Sequence, residues 1–183
     1  IYQCDWSSDV CSSDLVVAYN AESTLNKTIS RIPVDIYSNI FEVLISDDQS
    51  SDFTSKIAHQ VKNEYKLPIK VITHPINLGY GGNQKFGYSW AIDNNWDIVV
   101  LLHADGQYAP EFLSKLIAPI IENQADAVFG SRMINKKKAL QGGMPLYKWL
   151  GNQILTFIQN NLTNQNFFEW HSGYRAYRVD SLK

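Results

Sequence analysis

From Leu15 onward, short apolar runs rich in β-branched residues alternate with longer stretches in which apolar residues recur at helical spacing. The runs LVVAY, FEVLIS, IKVITH, WDIVVLL and ADAVFG read as strands. The stretches AESTLNKTISRI, SDFTSKIAHQVKNEY, GGNQKFGYSWAIDNN and PEFLSKLIAPIIE read as the helices between them. Such strands, separated by helices of this length, predict βαβ units and a mostly parallel sheet. Near-continuous apolar strands agree, because helices cover both faces of a parallel sheet. The pattern therefore predicts an α/β fold with a mostly parallel central sheet flanked by helices. The last third is less regular. A polar and basic stretch, SRMINKKKALQGG, precedes a helix in PLYKWLGNQILTFIQNNL, where Pro145 suits the first turn. Leu146, Leu150, Ile154, Phe157 and Ile158 fall on one face of that helix, which reads most simply as core. The rival reading is a groove for a lipid chain or a surface for a membrane. No repeat, low-complexity tract or linker interrupts the chain, so a single domain is expected.

Composition narrows the classes. The 183 residues are 45% apolar and 19% charged, which suits a globular domain with a core of its own. A formal net charge of −2 and the lack of an arginine-rich stripe argue against nucleic acid as a partner. No segment has the continuous apolar length of a membrane span. The opening IYQCDWSSDVCSSDL differs from everything after it and resembles translated sequencing-adapter read-through. Residues 1–15 are accordingly expected to be a non-native tail that has replaced the true start, with the domain proper running over 16–183 and its C-terminus also missing. Without Asp5, Asp9 and Asp14 the formal charge moves from −2 to +1, and without Cys4 and Cys11 no cysteine remains. The cysteine count then says little about redox compartment.

Candidate chemistry gathers where the strands end. After the first comes Tyr19-Asn20-Ala21-Glu22, after the second Asp47-Asp48, and after the third His74 followed by INLGYGGN. The fourth gives His103-Ala104-Asp105-Gly106-Gln107 and the fifth Ser131-Arg132. In open α/β sheets ligands bind outside the carboxyl ends of strands, so these loops predict one ligand site. Each has a duller explanation alone: Asp47-Asp48 could cap the next helix, and Asn77 to Gly82 could be a flexible connection.

In order along the chain, VVAYNAESTL, ISDDQSSDFT, NLGYGGNQKFGY, LLHADGQYAPE, GSR and HSGYRAYR resemble glycosyltransferase family 2, the inverting nucleotide-sugar transferases of GT-A (Rossmann-like) fold, in particular its dolichyl-phosphate mannose synthase-like branch. The resemblance implies transfer of a sugar from a nucleoside-diphosphate sugar to a polyprenyl phosphate or a cell-surface glycan, aided by a divalent metal, Mn²⁺ or Mg²⁺. It implies that Ala18, Tyr19, Asn20, Glu22, Asp47, Asp48, Asn77, Gly79 and Gly82 surround the nucleotide sugar, with Arg132 and Arg175 facing phosphate. HADGQ aligns with the family's Asp-x-Asp motif, which makes Asp105 the expected metal ligand and catalytic centre, joined by Gln107. His103 stands in place of the first aspartate and could ligate the metal, contact phosphate directly, or be a strand-end histidine satisfied by a backbone carbonyl. A nitrogen ligand would tilt preference toward Mn²⁺. An ionised lipid phosphate needs no protein base. An alcohol acceptor would need one, for which Glu169 and His171 are the candidates. Val17, Ala21, Trp170 and His171 depart from the family pattern and leave base and acceptor open. The donor pool implies a cytoplasmic site, at the inner face of a membrane if the acceptor is a lipid. Two rivals stand beside this reading: a nucleotide-sugar-forming nucleotidyltransferase, and an inactive module that binds nucleotide sugar without turnover.

Overall fold

The computed structural model describes residues 12–131, 133–134, 145–170 and 172–183. In chain order the elements are β1 (Ser12–Ala18), α1 (Leu25–Ile29), β2 (Ile40–Asp47), α2 (Thr54–Glu64), β3 (Ile69–Thr73), α3 (Gly79–Asp93), β4 (Ile98–His103), α4 (Leu113–Ile121), β5 (Ala127–Phe129), α5 (Leu146–Thr163) and β6 (Arg175–Arg178). The six strands lie in the order β3-β2-β1-β4-β6-β5. The β1–β2, β1–β4 and β2–β3 pairs are parallel, whereas β6 runs antiparallel to β4. The hydrophobic pattern does not predict β6, because Arg175-Ala176-Tyr177-Arg178 carries too few apolar positions to register as a buried run.

Alternation along the central strands divides the core between the two faces of the sheet. Val16, Ala18, Val43, Ile45, Val100 and Leu102 pack on one side with Leu25, Ile29, Leu113 and Ile120 from helices α1 and α4. Leu15, Val17, Leu44, Val99 and Leu101 pack on the other with Ala91 of α3. On α3 the buried positions are Asn83, Gly87 and Ala91, a small-residue face at i, i+4, i+8 that lets the helix lie close on the sheet. A Cβ at Gly87 would land inside the Leu15 side chain.

The described residues form two compact units, the first made of residues 12–128 together with Tyr174–Lys183, the second lying within Phe129–Gly173. The expected tail also enters the first unit, since β1 begins at Ser12 and Ser12 to Leu15 are buried. The second unit corrects the expectation for α5. Leu146, Leu150, Ile154, Phe157 and Ile158 are 46–69% exposed rather than core. The packed side of α5 is its polar stripe. Asn152 Nδ2 donates to Glu169 Oε1 (3.0 Å), Thr156 Oγ1 donates to Asn152 Oδ1 (3.1 Å), and Asn160 Oδ1 accepts from Trp170 Nε1 (2.7 Å). Spacing of four residues brings these polar groups onto one face, where hydrogen bonds to the 165–170 segment outcompete burial of the apolar face.

Candidate active site

Strand register builds the site. Val17 of β1 pairs with His103 of β4, Ala18 pairs with Asp47 of β2, and Asp47 pairs with Thr73 of β3. The ladder continues past the strand ends through Asp48 N to Ala18 O (2.9 Å), His74 N to Asp47 O (2.9 Å) and Ala104 N to Val17 O (3.0 Å). Consequently the residues that follow β1, β2 and β4 leave the sheet side by side. A cleft of about 500 Å³ opens there, within the first unit, lined by Val17, Ala18, Tyr19, Ala21, Asp48, Gln49, Asn77, Gly79, Tyr80, Asn83, His103, Ala104 and Asp105. Its volume suits a nucleotide-sized ligand.

Of the residues expected at the site, Ala18, Tyr19, Asp48, Asn77, Gly79, His103 and Asp105 line this cleft. Others serve the loops around it. Asn20, in the left-handed region at φ 48°, accepts through Oδ1 from Ser51 N (3.0 Å), and Glu22 Oε2 accepts from Phe53 N (2.9 Å). Both side chains thus tie the loop after β1 to the loop after β2. Asp47 Oδ1 accepts from Ser50 N at 3.2 Å and from the Ser50 hydroxyl, the turn-closing role that an aspartate at a strand end often takes. Gly82 serves packing, since a Cβ there would meet Leu78 Cβ at 2.8 Å. Arg175 sits on β6 opposite Leu101, and its positive charge acts on the Tyr80 phenol.

Asp48 has two roles. Its Oδ1 accepts from Leu78 N (2.7 Å) while its carbonyl accepts from Asn77 Nδ2 (2.9 Å), and Asn77 Oδ1 in turn accepts from Gly79 N (2.9 Å). Gly79 takes φ +72°, which a side chain would resist. Together these contacts fix where α3 starts. One turn later Asn83 is buried between β2 and β3, donating through Nδ2 to Ser46 O (3.0 Å) while Oδ1 lies 3.3 Å from His74 Nε2. Nothing singled out Asn83, Gln49 or Tyr80 in the sequence, although a polar residue on the small face of a helix was an available signal for Asn83.

On the β4 side, Asp105 is exposed and accepts through Oδ1 from Gln107 N (3.0 Å), a turn made possible by Gly106 at φ +73°. His103 Nε2 lies 3.1 Å from Tyr80 Oη, and the imidazole sits between the rings of Tyr80 (5.2 Å) and Tyr108 (5.1 Å). Burial, as the main cause, pushes the Tyr80 phenol above its usual pKa, so it keeps its proton. Among the described residues no group of three His, Cys, Asp or Glu forms a closed metal cage. The donors present, one carboxylate and one imidazole on the same cleft, fit a cation whose remaining ligands come from a bound diphosphate.

In the second unit Glu169 is buried and accepts from Ser131 Oγ (3.2 Å) as well as from Asn152. Arg132, His171 and the lysines at 136–138 lie outside the described residues. No helix among the described residues is long and apolar enough to cross a membrane.

Comparison with known proteins places the chain in a family. The chain is 34% identical over 180 residues to the UDP-N-acetylglucosamine–dolichyl-phosphate N-acetylglucosaminyltransferase of Methanococcus voltae, covering 92% of this chain and 70% of that one. It is 28% identical to the undecaprenyl-phosphate mannosyltransferase of Micrococcus luteus, over 92% of this chain and 67% of that one. Among solved structures, the glucosyl-3-phosphoglycerate synthase of Mycobacterium tuberculosis superposes with a TM-score of 0.67 at 19% identity, over 93% of this chain and 57% of the other. TarS of S. aureus in complex with UDP superposes with a TM-score of 0.52 at 26% identity, over 64% of this chain and 34% of the other. The chain spans about two thirds of the length of these two curated relatives and a smaller share of the solved chains. The model of the family described as glycosyl transferase family 2 matches residues 13–183, and the chain belongs to that family.

Proposed function

We propose that the protein transfers a sugar from a nucleoside-diphosphate sugar to a polyprenyl phosphate, with inversion at the sugar's anomeric carbon. The observation that carries this reading is the register that sets Asp48, His103 and Asp105 around one cleft at the carboxyl edge of the parallel strands. Tyr19, Asp48 and Asn77 form the nucleoside end, where a carboxylate offers acceptors to ribose or base donors. Asp105 and His103 form the diphosphate end, with Gln107 and Arg175 beside it. A divalent cation held there by Asp105, His103 and the ligand's own phosphates would neutralise charge on the departing diphosphate. The acceptor oxygen attacks the anomeric carbon from the face opposite the diphosphate. The carbon–oxygen bond to the diphosphate breaks, and its electron pair leaves with that group.

Two observations favour a lipid phosphate over an alcohol. The names of the relatives from M. voltae and M. luteus specify polyprenyl-phosphate acceptors. The carboxylate of Glu169, a candidate base, is occupied by Ser131 and Asn152, and a phosphate nucleophile needs none. The exposed apolar face of α5 suits an enzyme whose acceptor lies in a membrane, and the donor pool then places the site at the cytoplasmic face.

A thermal-shift panel of UDP, GDP and dTDP, each with and without Mn²⁺, tests the reading on the wild-type chain and on Asp105→Asn. Stabilisation by one nucleotide is expected, dependent on Mn²⁺ and lost in the variant. An equal response in the variant would remove Asp105 from the site. Pyrophosphate release from a nucleoside triphosphate would point instead to a nucleotidyltransferase.

A further inference from the structure

The first aspartate of the family's metal motif is His103 in this chain, and the geometry around it assigns a task to a residue outside that motif. We infer that Tyr80 is a positioning residue for His103: its hydroxyl donates to His103 Nε2, fixes the imidazole with that nitrogen unprotonated and turned to the cleft, and is displaced when a diphosphate-bound cation takes the same lone pair. The inference rests on the donor-site reading above.

The hydrogen-bond direction is part of the inference. Gln84 Nε2 donates into Tyr80 Oη at 3.2 Å and occupies one lone pair of the phenol, and we assign the phenol's one proton to His103 Nε2 at 3.1 Å. A protonated phenol can only donate to a nitrogen that carries no hydrogen, so the imidazole proton resides on Nδ1. In this tautomer Nε2 is the nitrogen able to bind a cation. The rings of Tyr80 and Tyr108 flank the imidazole and restrict its rotation.

Tyr80 does not reach His103 by chance of a loose surface side chain. It lies in the first turn of α3, whose start is fixed by Asp48 Oδ1 at Leu78 N and whose next turn is anchored by Asn83 against Ser46. The strand ends therefore fix the Tyr80 backbone, and from there its half-exposed phenol reaches the histidine. Loss of one neutral hydrogen bond on cation binding opposes that binding by a few-fold. An aspartate in the same place would carry a negative charge permanently. The histidine with its tyrosine instead offers a neutral donor whose availability is set by a neighbouring side chain.

The test uses Tyr80→Phe, which keeps the ring and removes only the hydroxyl. In the metal-free protein, nitrogen NMR of the His103 ring should show Nε2 unprotonated in the wild type and shifted toward the protonated form in the variant. Calorimetric titration of Mn²⁺ in the presence of saturating UDP should show about three- to tenfold tighter binding in Tyr80→Phe, the size of one lost competing hydrogen bond. His103→Ala should bind Mn²⁺ more weakly, and adding Tyr80→Phe to it should change nothing further. A protonated Nε2 in the wild type overturns the inference. So does unchanged or weaker Mn²⁺ binding in Tyr80→Phe when the wild type binds normally. If the wild type takes up no Mn²⁺ with any nucleotide, the donor-site reading itself fails and this inference fails with it.

Discussion

The two halves of β1 are equally buried and unequally suited to burial. Ser12, Ser13 and Asp14 are at most 1% exposed, and neither serine hydroxyl nor either oxygen of Asp14 has a hydrogen-bond partner. Leu15 to Ala18 are buried apolar residues, and Leu15 fits a space left by the missing side chain of Gly87. Asp14 pairs in register with Val43 and Val100, so its flanks are apolar on both sides. At the other end of the same sheet Asp47 and Asp48 are also buried, yet one oxygen of each accepts a backbone hydrogen bond, Asp47 Oδ1 from Ser50 N and Asp48 Oδ1 from Leu78 N, while Asp47 Oδ2 has no partner. Burial thus places a residue without showing that its surroundings suit it, and the hydrogen-bond partners make that distinction. By this criterion Ser12 to Asp14 match their surroundings poorly and Leu15 matches them well.

The largest effect expected from this contrast belongs to Asp14. Burial pushes its carboxyl from the ordinary 3.8 up to about 7, so the folded chain keeps a proton that the unfolded chain releases near pH 4. Between those values the folded state binds more protons, and stability falls as pH rises from about 4 to about 7. The loss is on the order of 4 kcal/mol, from the shift multiplied by the energy of one pKa unit. Asp14→Val should abolish that slope and raise the stability at pH 7 by a similar amount, read as the difference between the two denaturation profiles. Other carboxylates contribute equally to both profiles and cancel. Parallel profiles would mean that Asp14 is solvated in the folded chain, and the contrast within β1 would vanish.

Gly87 tests the other half of the strand. A methyl group at this position must displace Leu15, so Gly87→Ala should cost about 1–3 kcal/mol in urea denaturation, the usual price of overpacking. In a Leu15→Ala background the same change should be close to neutral, because the added carbon then fills the space the leucine leaves. Additive costs would separate Leu15 from Gly87, and would remove the reason for ending the poorly matched segment at Asp14.

How far this was legible in the sequence depended on which force decided each element. Apolar runs at Val43–Ile45 and Ile98–Leu102 specified the parallel strands, because those strands are buried on both faces and the signal is hydrophobic throughout. β6 escaped notice since its place is secured by an antiparallel ladder to β4 and by the arginine ends, Arg178 bonding Asp126 at 3.1 Å. The face of α5 was misread because helical periodicity reports which residues share a side and not which side is packed. There Asn152, Thr156 and Asn160 found partners and turned the leucines outward. Of the residues in the strand-end motifs, Asp48, Asn77, His103 and Asp105 line the cleft. Asn20, Glu22 and Asp47 come from the same motifs and hydrogen-bond to loop groups, a contact that the motif alone does not display. Tyr80 needed the fold, because its contact to His103 joins positions 23 residues apart.

The smallest effect completes the series with a carboxylate that has a good partner and little burial. Glu111 takes a two-pronged bond from Arg31, at 2.7 Å from Nε and 3.0 Å from Nη2, and this bond holds its carboxyl below the usual glutamate pKa. The sign is opposite to that of Asp14: the stabilisation is present at neutral pH and disappears as pH falls through the lowered pKa. Both side chains are substantially exposed, 37% and 48%, so water and salt screen most of the attraction. Glu111→Gln should therefore lower stability at pH 7 by only about 0.5 kcal/mol at low salt, with the difference shrinking at 1 M NaCl. Arg31 also donates through Nη1 to Gly106 O at 3.4 Å, which links the pair to the turn that carries Asp105. If the variant instead lost several kcal/mol, the Arg31 anchor would be holding the Asp105 turn in place, and exposure would be as poor a guide to a carboxylate's worth at the site as burial is in β1.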